Sequence, residues 1–154
     1  MLPDELAERA LRVARATALG VLGDREAADD VAQEVAIVAV EQAYKLRSPA
    51  ALDAWLHKVT VRKALATARR SRARRAAERA HTEARPPRDD DDARVLDLLA
   101  GLPPKQRAAL TLRYLHDLPD EAIAAAIGCR PGTVRSLLSR GREAIRAERG
   151  VAPC

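Results

Sequence analysis

The sequence is poor in aromatic residues and has no long apolar run. Its 154 residues include no Phe, one Trp and two Tyr, although 47% are hydrophobic and much of that fraction is alanine. The longest run of large apolar residues, VAIVAV (35–40), is far shorter than the roughly 20 residues that a transmembrane helix needs. These scarcities predict a thin core and no membrane insertion.

Cysteine, histidine and the usual catalytic patterns are also scarce. Two Cys, one of them at the chain end, do not form a disulfide framework. Three scattered His give no metal-ligand spacing. We find no paired carboxylates, no nucleophile with a base and no phosphate-cradling glycine loop. We therefore expect no metal, no cofactor and no enzymatic activity, and an acidic N-terminus without a signal-peptide core predicts a cytoplasmic location.

The residues that are abundant favour helices and a polyanionic partner. Ala, Leu, Arg and Glu are strong helix formers, and no stretch alternates apolar and polar residues as a half-buried strand does. A net charge of +5 and a pI near 9.8 favour contact with nucleic acid or anionic lipid. The sequence predicts an all-α protein with a basic surface.

The chain divides into two predicted helical domains. Residues 1–82 offer three helical segments, with Asp24 as an N-cap of the second and Ser48 before Pro49 at the start of the third. Residues 83–94 contain two prolines and four aspartates and no large apolar residue, so we interpret them as a flexible linker. Residues 95–150 offer four short helices.

The second domain carries the pattern of a helix-turn-helix. Ala124 supplies the small residue where two steeply crossing helices approach. Gly128, four residues later, tolerates the positive φ that the turn needs. Pro131 suits the first turn of the following helix, because the missing N–H has no partner there.

The last helix has two contrasting faces. If Val134, Leu137 and Leu138 point inward, basic and hydroxyl side chains share the outward face, and arginine and serine are suited to base edges in the major groove. Thr133 near the helix N-terminus suits a phosphate contact. The alternative is an αα-hairpin with a solvated basic face. The outward set comprises Arg135, Ser136, Ser139 and Arg140.

Both halves resemble the extracytoplasmic-function (ECF) sigma factors of bacterial RNA polymerase. The stretch LPPKQRAALTLRYLHDLPDEAIAAAIGCRPGTVRSLLSRGREAIR resembles region 4 of that family. The stretches GDREAADDVAQEVAIVAVEQAYKL and AWLHKVTVRKALATARR resemble region 2. The two half-motifs occur in the family's order with a linker between them. The resemblance implies two helical domains that bind core RNA polymerase and promoter DNA.

The resemblance also implies site residues. In region 4 the −35 element of the promoter is read as duplex, which assigns that role to Arg130, Thr133, Arg135, Ser136, Ser139 and Arg140. In region 2 the −10 element is opened and a base captured, which assigns that role to Arg62, Lys63, Thr67, Arg69 and Arg70. Docking on the polymerase clamp helices falls on Asp29, Asp30, Gln33 and Glu34; compensation of the helix dipole is the alternative for these four.

Three interpretations of function remain open at the sequence level. The first is a promoter-specificity subunit, for which the family implies an anti-sigma factor as a further partner. The second is a stand-alone helix-turn-helix regulator that never joins polymerase. The third is a degenerate sigma-like protein that acts only as a decoy or interaction partner.

Overall fold

The computed structural model describes residues 2–46, 48–77 and 91–148. Within these ranges the chain forms seven α-helices and one short 3₁₀ turn, without a strand, which confirms the all-α prediction. None of these helices is both long enough and apolar enough to cross a membrane. The helices are α1 (Pro3–Leu22), α2 (Arg25–Gln42), the 3₁₀ turn (Ala43–Lys45), α3 (Pro49–Ala77), α4 (Asp91–Ala100), α5 (Pro104–His116), α6 (Asp120–Ile127) and α7 (Pro131–Glu148).

Local sequence signals set most of the helix ends. Gly23 ends α1 in the left-handed conformation at φ 68°, and its N–H donates to the carbonyl of Leu19. The Asp24 carboxylate then accepts from the N–H groups of Glu26 and Ala27 at the start of α2, as predicted. Ser48 accepts in the same way from the Ala51 N–H at 3.1 Å, directly before Pro49.

The N-terminal half (α1–α3) has a core built largely of small side chains. Alanines from α1 and α2 are fully buried at its centre, and because they carry only a methyl group the helix axes approach closely. Leu56 and Val61 of α3 complete this core. Small side chains thus take the place of aromatic ones in this core, and the helices pack closely. The fully buried alanines of α1 and α2 are Ala10, Ala14, Ala18, Ala28, Ala32 and Ala39.

The C-terminal half (α4–α7) contains the predicted helix-turn-helix. Gly128 ends α6 at φ 88°, and the N–H groups of Gly128 and Cys129 both donate to the carbonyl of Ala124, which is itself buried. Ile123 and Val134 are fully buried between the two helices. The turn is therefore closed by backbone hydrogen bonds that only a left-handed residue at 128 permits.

The predicted linker lies mostly outside the described residues, so the domain boundaries stay a prediction. Residues 83–90 are not described, whereas α4 begins at Asp91, four residues before the predicted domain start. A run of aspartates suits a linker, but it also suits the first turn of a helix, where negative charge is favoured by the helix dipole.

The two halves pack against each other through one hydrophobic core. Helix α1 contacts α4 and α5, and α3 contacts α5 and α6. Gly20 of α1 allows the side chain of Thr111 on α5 to lie directly against the α1 backbone. Arg107 of α5 donates from Nε to the main-chain carbonyl of Val21 at 2.6 Å, so the end of α1 is also hydrogen-bonded to α5.

Candidate nucleic-acid and polymerase interfaces

The outward face of α7 carries the residues predicted to read duplex DNA. Val134, Leu138 and Gly141 bury the inner face of this helix. The opposite face is open to solvent and bears arginine and hydroxyl groups, as a major-groove reading helix requires. Arg130, just before the helix, and Thr133 in its first turn extend this surface to the N-terminus, where backbone N–H groups favour phosphate. The exposed residues of this surface are Arg130, Thr133, Arg135, Ser136, Ser139 and Arg140.

Asp120 connects the reading helix to the rest of the C-terminal half. Its Oδ1 accepts from Nη2 of Arg113 on α5, and its Oδ2 lies 3.6 Å from Nη1 of Arg135 on α7. Arg113 also donates from Nε to the carbonyl of Leu118 at 2.9 Å. Because Asp120 and Arg113 are mostly buried, this carboxylate fixes α6 relative to α5 and attracts one arginine of the reading face.

Residues of the predicted −10 surface lie along α3. Arg62, Arg69 and Arg70 are exposed, whereas Lys63 and Thr67 are half-buried. The Thr67 hydroxyl donates to the carbonyl of Lys63 at 2.9 Å and accepts from Nη2 of Arg70 at 3.4 Å. Thr67 thus lies beside a neighbouring arginine. The arginines of α3 supply the charge that the phosphates of a single strand require.

The basic surface continues toward the end of the described part of α3. Arg72 and Arg74 are exposed beyond Arg70. The remainder of the predicted N-terminal domain, residues 78–82, is outside the described residues. A row of arginines without interleaved aromatic side chains suits phosphate contact rather than base recognition.

The four residues predicted to dock on polymerase lie in the N-terminal half of α2. Asp30, Gln33 and Glu34 are exposed on α2, and Glu34 lies 3.6 Å from Nζ of Lys63, so the acidic face of α2 adjoins the basic face of α3. Asp29 instead pairs with Nε of Arg15 on α1 at 2.6 Å. The Asp29 side chain is 46% exposed in this pair. Asp29 and Glu34 each lie beside a basic side chain of a neighbouring helix, and docking by all four residues stays a prediction.

An exposed apolar strip continues the α2 surface. Ile37 is 61% exposed, Val40 is 39% exposed and Tyr44 is 74% exposed. These side chains follow Asp30 and Glu34 along one side of the helix and the turn after it. Large exposed apolar groups next to charged ones are typical of a protein-binding surface. The burial of Val35 and Ala39 decides which apolar residues of α2 face outward.

The turn of the helix-turn-helix lies against the −10 surface. A Cβ placed on Gly128 would stand 3.5 Å from Nη2 of Arg62, so the guanidinium of this α3 arginine packs beside the turn. Helix α3 contacts α6 along the same boundary. In this arrangement the two predicted DNA surfaces are adjacent, and the C-terminal half partly covers the surface on α3.

A groove of about 970 Å³ separates the halves on another side. Its floor is apolar, and Val95, Tyr114 and Leu115 in it are more than half exposed. Arginines surround it, and one of them, Arg142, donates to the Tyr114 hydroxyl at 2.7 Å and stacks over its ring. No pattern in the sequence predicts this groove, because the residues that line it come from five helices. The arginines in its lining are Arg15, Arg25, Arg142 and Arg146.

Metal ligands are not clustered in the described ranges. No group of three or more His, Cys, Asp or Glu side chains within residues 2–46, 48–77 and 91–148 is placed to hold an ion. The chemistry of the surfaces described above is that of charge, hydrogen bonding and apolar contact.

Comparison with known proteins identifies both halves. Residues 6–75 match the family Sigma-70 region 2, and residues 92–145 match Sigma-70, region 4. The RNA polymerase sigma-H factor of Pseudomonas aeruginosa is 34% identical over 140 residues, which cover 79% of this chain and 72% of that protein. The ECF RNA polymerase sigma factor SigE of Mycolicibacterium smegmatis is 34% identical over 135 residues, which cover 80% of this chain.

The fold is also that of a solved sigma factor. The sigma factor RpoE, in its complex with the anti-sigma factor NepR from Bartonella quintana, superposes with a TM-score of 0.76, with 24% identity and coverage of 97% of this chain and 98% of that one. Some curated relatives are longer, since the match spans only 52% of the mycobacterial protein. The two consecutive region matches and the identity to sigma-H over most of its length show that this chain belongs to the ECF group of the sigma-70 family.

Proposed function

We propose that this chain binds core RNA polymerase and directs it to promoters, with α7 reading the −35 element and α3 engaging and melting the −10 element. The main support is the outward face of α7, where Arg135, Ser136, Ser139 and Arg140 are exposed over a buried Val134 and Leu138. Promoter selection needs no chemistry by the chain itself, which agrees with surfaces built from arginines and hydroxyls. The chain then works in the cytoplasm, where the polymerase acts.

The exposed strip on α2 is the proposed polymerase contact. Asp30, Gln33 and Glu34 offer polar and charged groups, and Ile37 and Val40 supply apolar area to bury. Apolar burial contributes about 25 cal/mol per Å², whereas exposed ion pairs contribute at most about 1 kcal/mol each. Ile37 is therefore the residue whose charge substitution should weaken polymerase binding most.

Reconstitution tests the proposal directly. Purified chain and core polymerase are mixed with a promoter duplex that carries a fluorescent base in the −10 element, and strand opening is followed by fluorescence. We expect opening only when both proteins are present, and loss of opening for Ile37→Glu. Arg12→Ala, which removes an exposed arginine of α1 outside all the proposed surfaces, is the matched control and should open the duplex normally.

Either of two results would contradict the proposed function and favour another one. Tight, specific binding to an isolated −35 duplex without polymerase would indicate a stand-alone regulator. Binding to polymerase without any strand opening, across a selected promoter library, would indicate a decoy. A tethered pair of weak DNA sites gains affinity through effective concentration only when polymerase holds both sites on one promoter, so the free chain should bind duplex poorly.

We also propose an anti-sigma factor as a partner, seated in the groove between the halves. The groove combines an apolar floor with four arginines in its lining, which suits an amphipathic helix flanked by acidic residues. Such a helix would hold the two halves in the arrangement in which α6 covers part of α3. Val95→Glu should abolish inhibition by this factor and spare polymerase binding, whereas Ile37→Glu should do the opposite.

A further inference from the structure

Two histidines from different halves meet at the boundary between them. The ring centroids of His57 on α3 and His116 at the end of α5 are 4.4 Å apart, with an angle of 46° between the planes. His57 is buried, and His116 is half-buried. Two imidazole rings stay in van der Waals contact only while at most one of them is charged, because like charges repel strongly where little water screens them.

His116 is also hydrogen-bonded across the boundary. Its Nε2 lies 2.7 Å from Oγ1 of Thr17 on α1, and the Thr17 hydroxyl donates its one proton to the carbonyl of Val13 at 2.8 Å. The Thr17 oxygen therefore accepts from Nε2–H of His116. This contact joins side chains that are 99 residues apart in the sequence.

The described charged groups near the pair lie on α3 and α5 and on the helices packed against them. Asp53, one turn before His57 on α3, is the carboxylate that acts on both rings, but it also pairs with Arg9 of α1 at 2.6 Å. Arg113, on α5 with His116, is paired with Asp120 of α6. Asp117 directly follows His116 and is exposed. The carboxylate that acts on both rings, Asp53, is already paired with an arginine.

The boundary also contains unsatisfied polar atoms. Nδ1 of His57 and Oγ1 of Thr111 are buried and have no hydrogen-bond partner among the described residues. Each such atom costs free energy when it is removed from water and regains hydration when the boundary opens.

We propose that His57 and His116 form an acid-sensitive latch, which holds the C-terminal half against the N-terminal half at neutral pH and releases it when either ring is protonated. Release withdraws the Gly128 turn from Arg62 and exposes the groove lining of both halves. The latch is a property of the chain alone, and only its consequence for promoter binding rests on the proposed function.

The direction of the pH dependence follows from the protonation of the closed form. Burial lowers the pKa of His57 against a raising effect of Asp53. Burial and then the neighbouring His57 lower the pKa of His116 to about 4, again against Asp53. Separated histidines titrate near 6.5, so the closed form binds fewer protons than the open form. The closed form is therefore most stable relative to the open form above about pH 6.5. As the pH falls toward 4, the equilibrium constant for closure decreases by up to about tenfold per pH unit and per histidine.

Scattering by the full chain provides the test. The radius of gyration is measured by small-angle X-ray scattering at pH 7.5, 6.5 and 5.5, without polymerase or DNA. We expect it to increase on acidification for the natural chain, and to stay constant for the double variant His57→Gln and His116→Gln, which keeps an amide donor toward Thr17 but cannot be charged. His81→Gln removes the third histidine and should leave the response unchanged.

If the double variant fails to fold, NMR titration of the natural chain tests the latch instead. Histidine Cε1–H resonances are titrated by NMR and assigned with the single variants, and the midpoints of His57 and His116 should lie below the ordinary value of about 6.5. Midpoints of about 6.5 or higher for His57 and His116, or a radius of gyration that does not change between pH 7.5 and 5.5, would overturn the latch. Either result would leave the proposed promoter function untouched, because no polymerase or DNA takes part.

Discussion

The backbone of α1 at Gly20 touches the side chain of Thr111 on α5. A Cβ on Gly20 would stand 2.7 Å from Cγ2 and 3.1 Å from Cβ of Thr111, and closer still to its hydroxyl. No rotation of a side chain as short and β-branched as threonine relieves contact with three of its atoms at once. This contact fixes how closely the two halves of the chain approach.

Gly20→Ala should therefore separate the halves without unfolding either one. We expect an overpacking cost of about 1–3 kcal/mol at the boundary, a lower thermal midpoint and a larger radius of gyration at pH 7.5. The matched control is Gly101→Ala, where the new methyl group would have only an ordinary contact, 3.7 Å from Glu148. An unchanged radius of gyration for Gly20→Ala would mean that the contact does not hold the halves together.

Asp120→Ala should loosen the helix-turn-helix. The substitution removes the acceptor of Arg113 and leaves that half-buried guanidinium with only the carbonyl of Leu118. Hydrogen bonds to charged groups contribute about 1.5–3 kcal/mol, and chemical denaturation should reveal a loss in that range. The adjacent exposed residue provides the control, because Glu121→Ala removes an equal charge from the same helix turn and should cost much less.

Arg140→Ala should alter promoter choice. Arg140 is exposed on the outward face of α7 and forms no hydrogen bond or ion pair with the described residues, so its guanidinium is available to a base edge. We expect a cost of about 1–3 kcal/mol at one base pair of the −35 element and relaxed selectivity there. Selection of binding sites from a random library with reconstituted holoenzyme measures both effects, and an unchanged selected sequence would contradict the assignment of the reading face.

Arg72→Ala serves as the contrasting variant. Arg72 lies on the basic end of α3, where phosphate contact carries no sequence information. Its loss should weaken binding to all promoters by a similar factor and reduce the salt dependence of binding. A change in the selected −35 sequence for this variant would instead indicate that the two surfaces are not independent.

Gly128→Ala and Gly132→Ala should shift stability in opposite directions. Gly128 has φ 88°, where an L side chain costs about 1–2 kcal/mol, so the alanine variant should lose stability. Gly132 lies within α7 with a new Cβ in ordinary contact, 3.6 Å from Arg135, and alanine there should gain up to about 1 kcal/mol from helix propensity. The thermal midpoints of the two variants separate the effect of a positive φ on stability from the effect of adding a methyl group.

The sequence by itself determined the local features of this protein. Asp24 and Ser48 cap helices as predicted, and Gly128 adopts the positive φ that its place in the turn requires, because capping and turn formation depend on residues only a few positions apart. The periodicity of α7 likewise predicted that Val134 and Leu138 point inward, and this assigns its outward face.

Only the tertiary structure decided how the two halves meet. Gly20 against Thr111 and His57 against His116 pair positions far apart along the chain, and no periodic pattern marks them. The same holds for Asp29, whose partner is Arg15 of another helix. Helix ends arise from interactions within one or two turns of the chain. The packing of the two halves depends instead on the fit of small side chains across their boundary, and this fit exists only when both halves have folded.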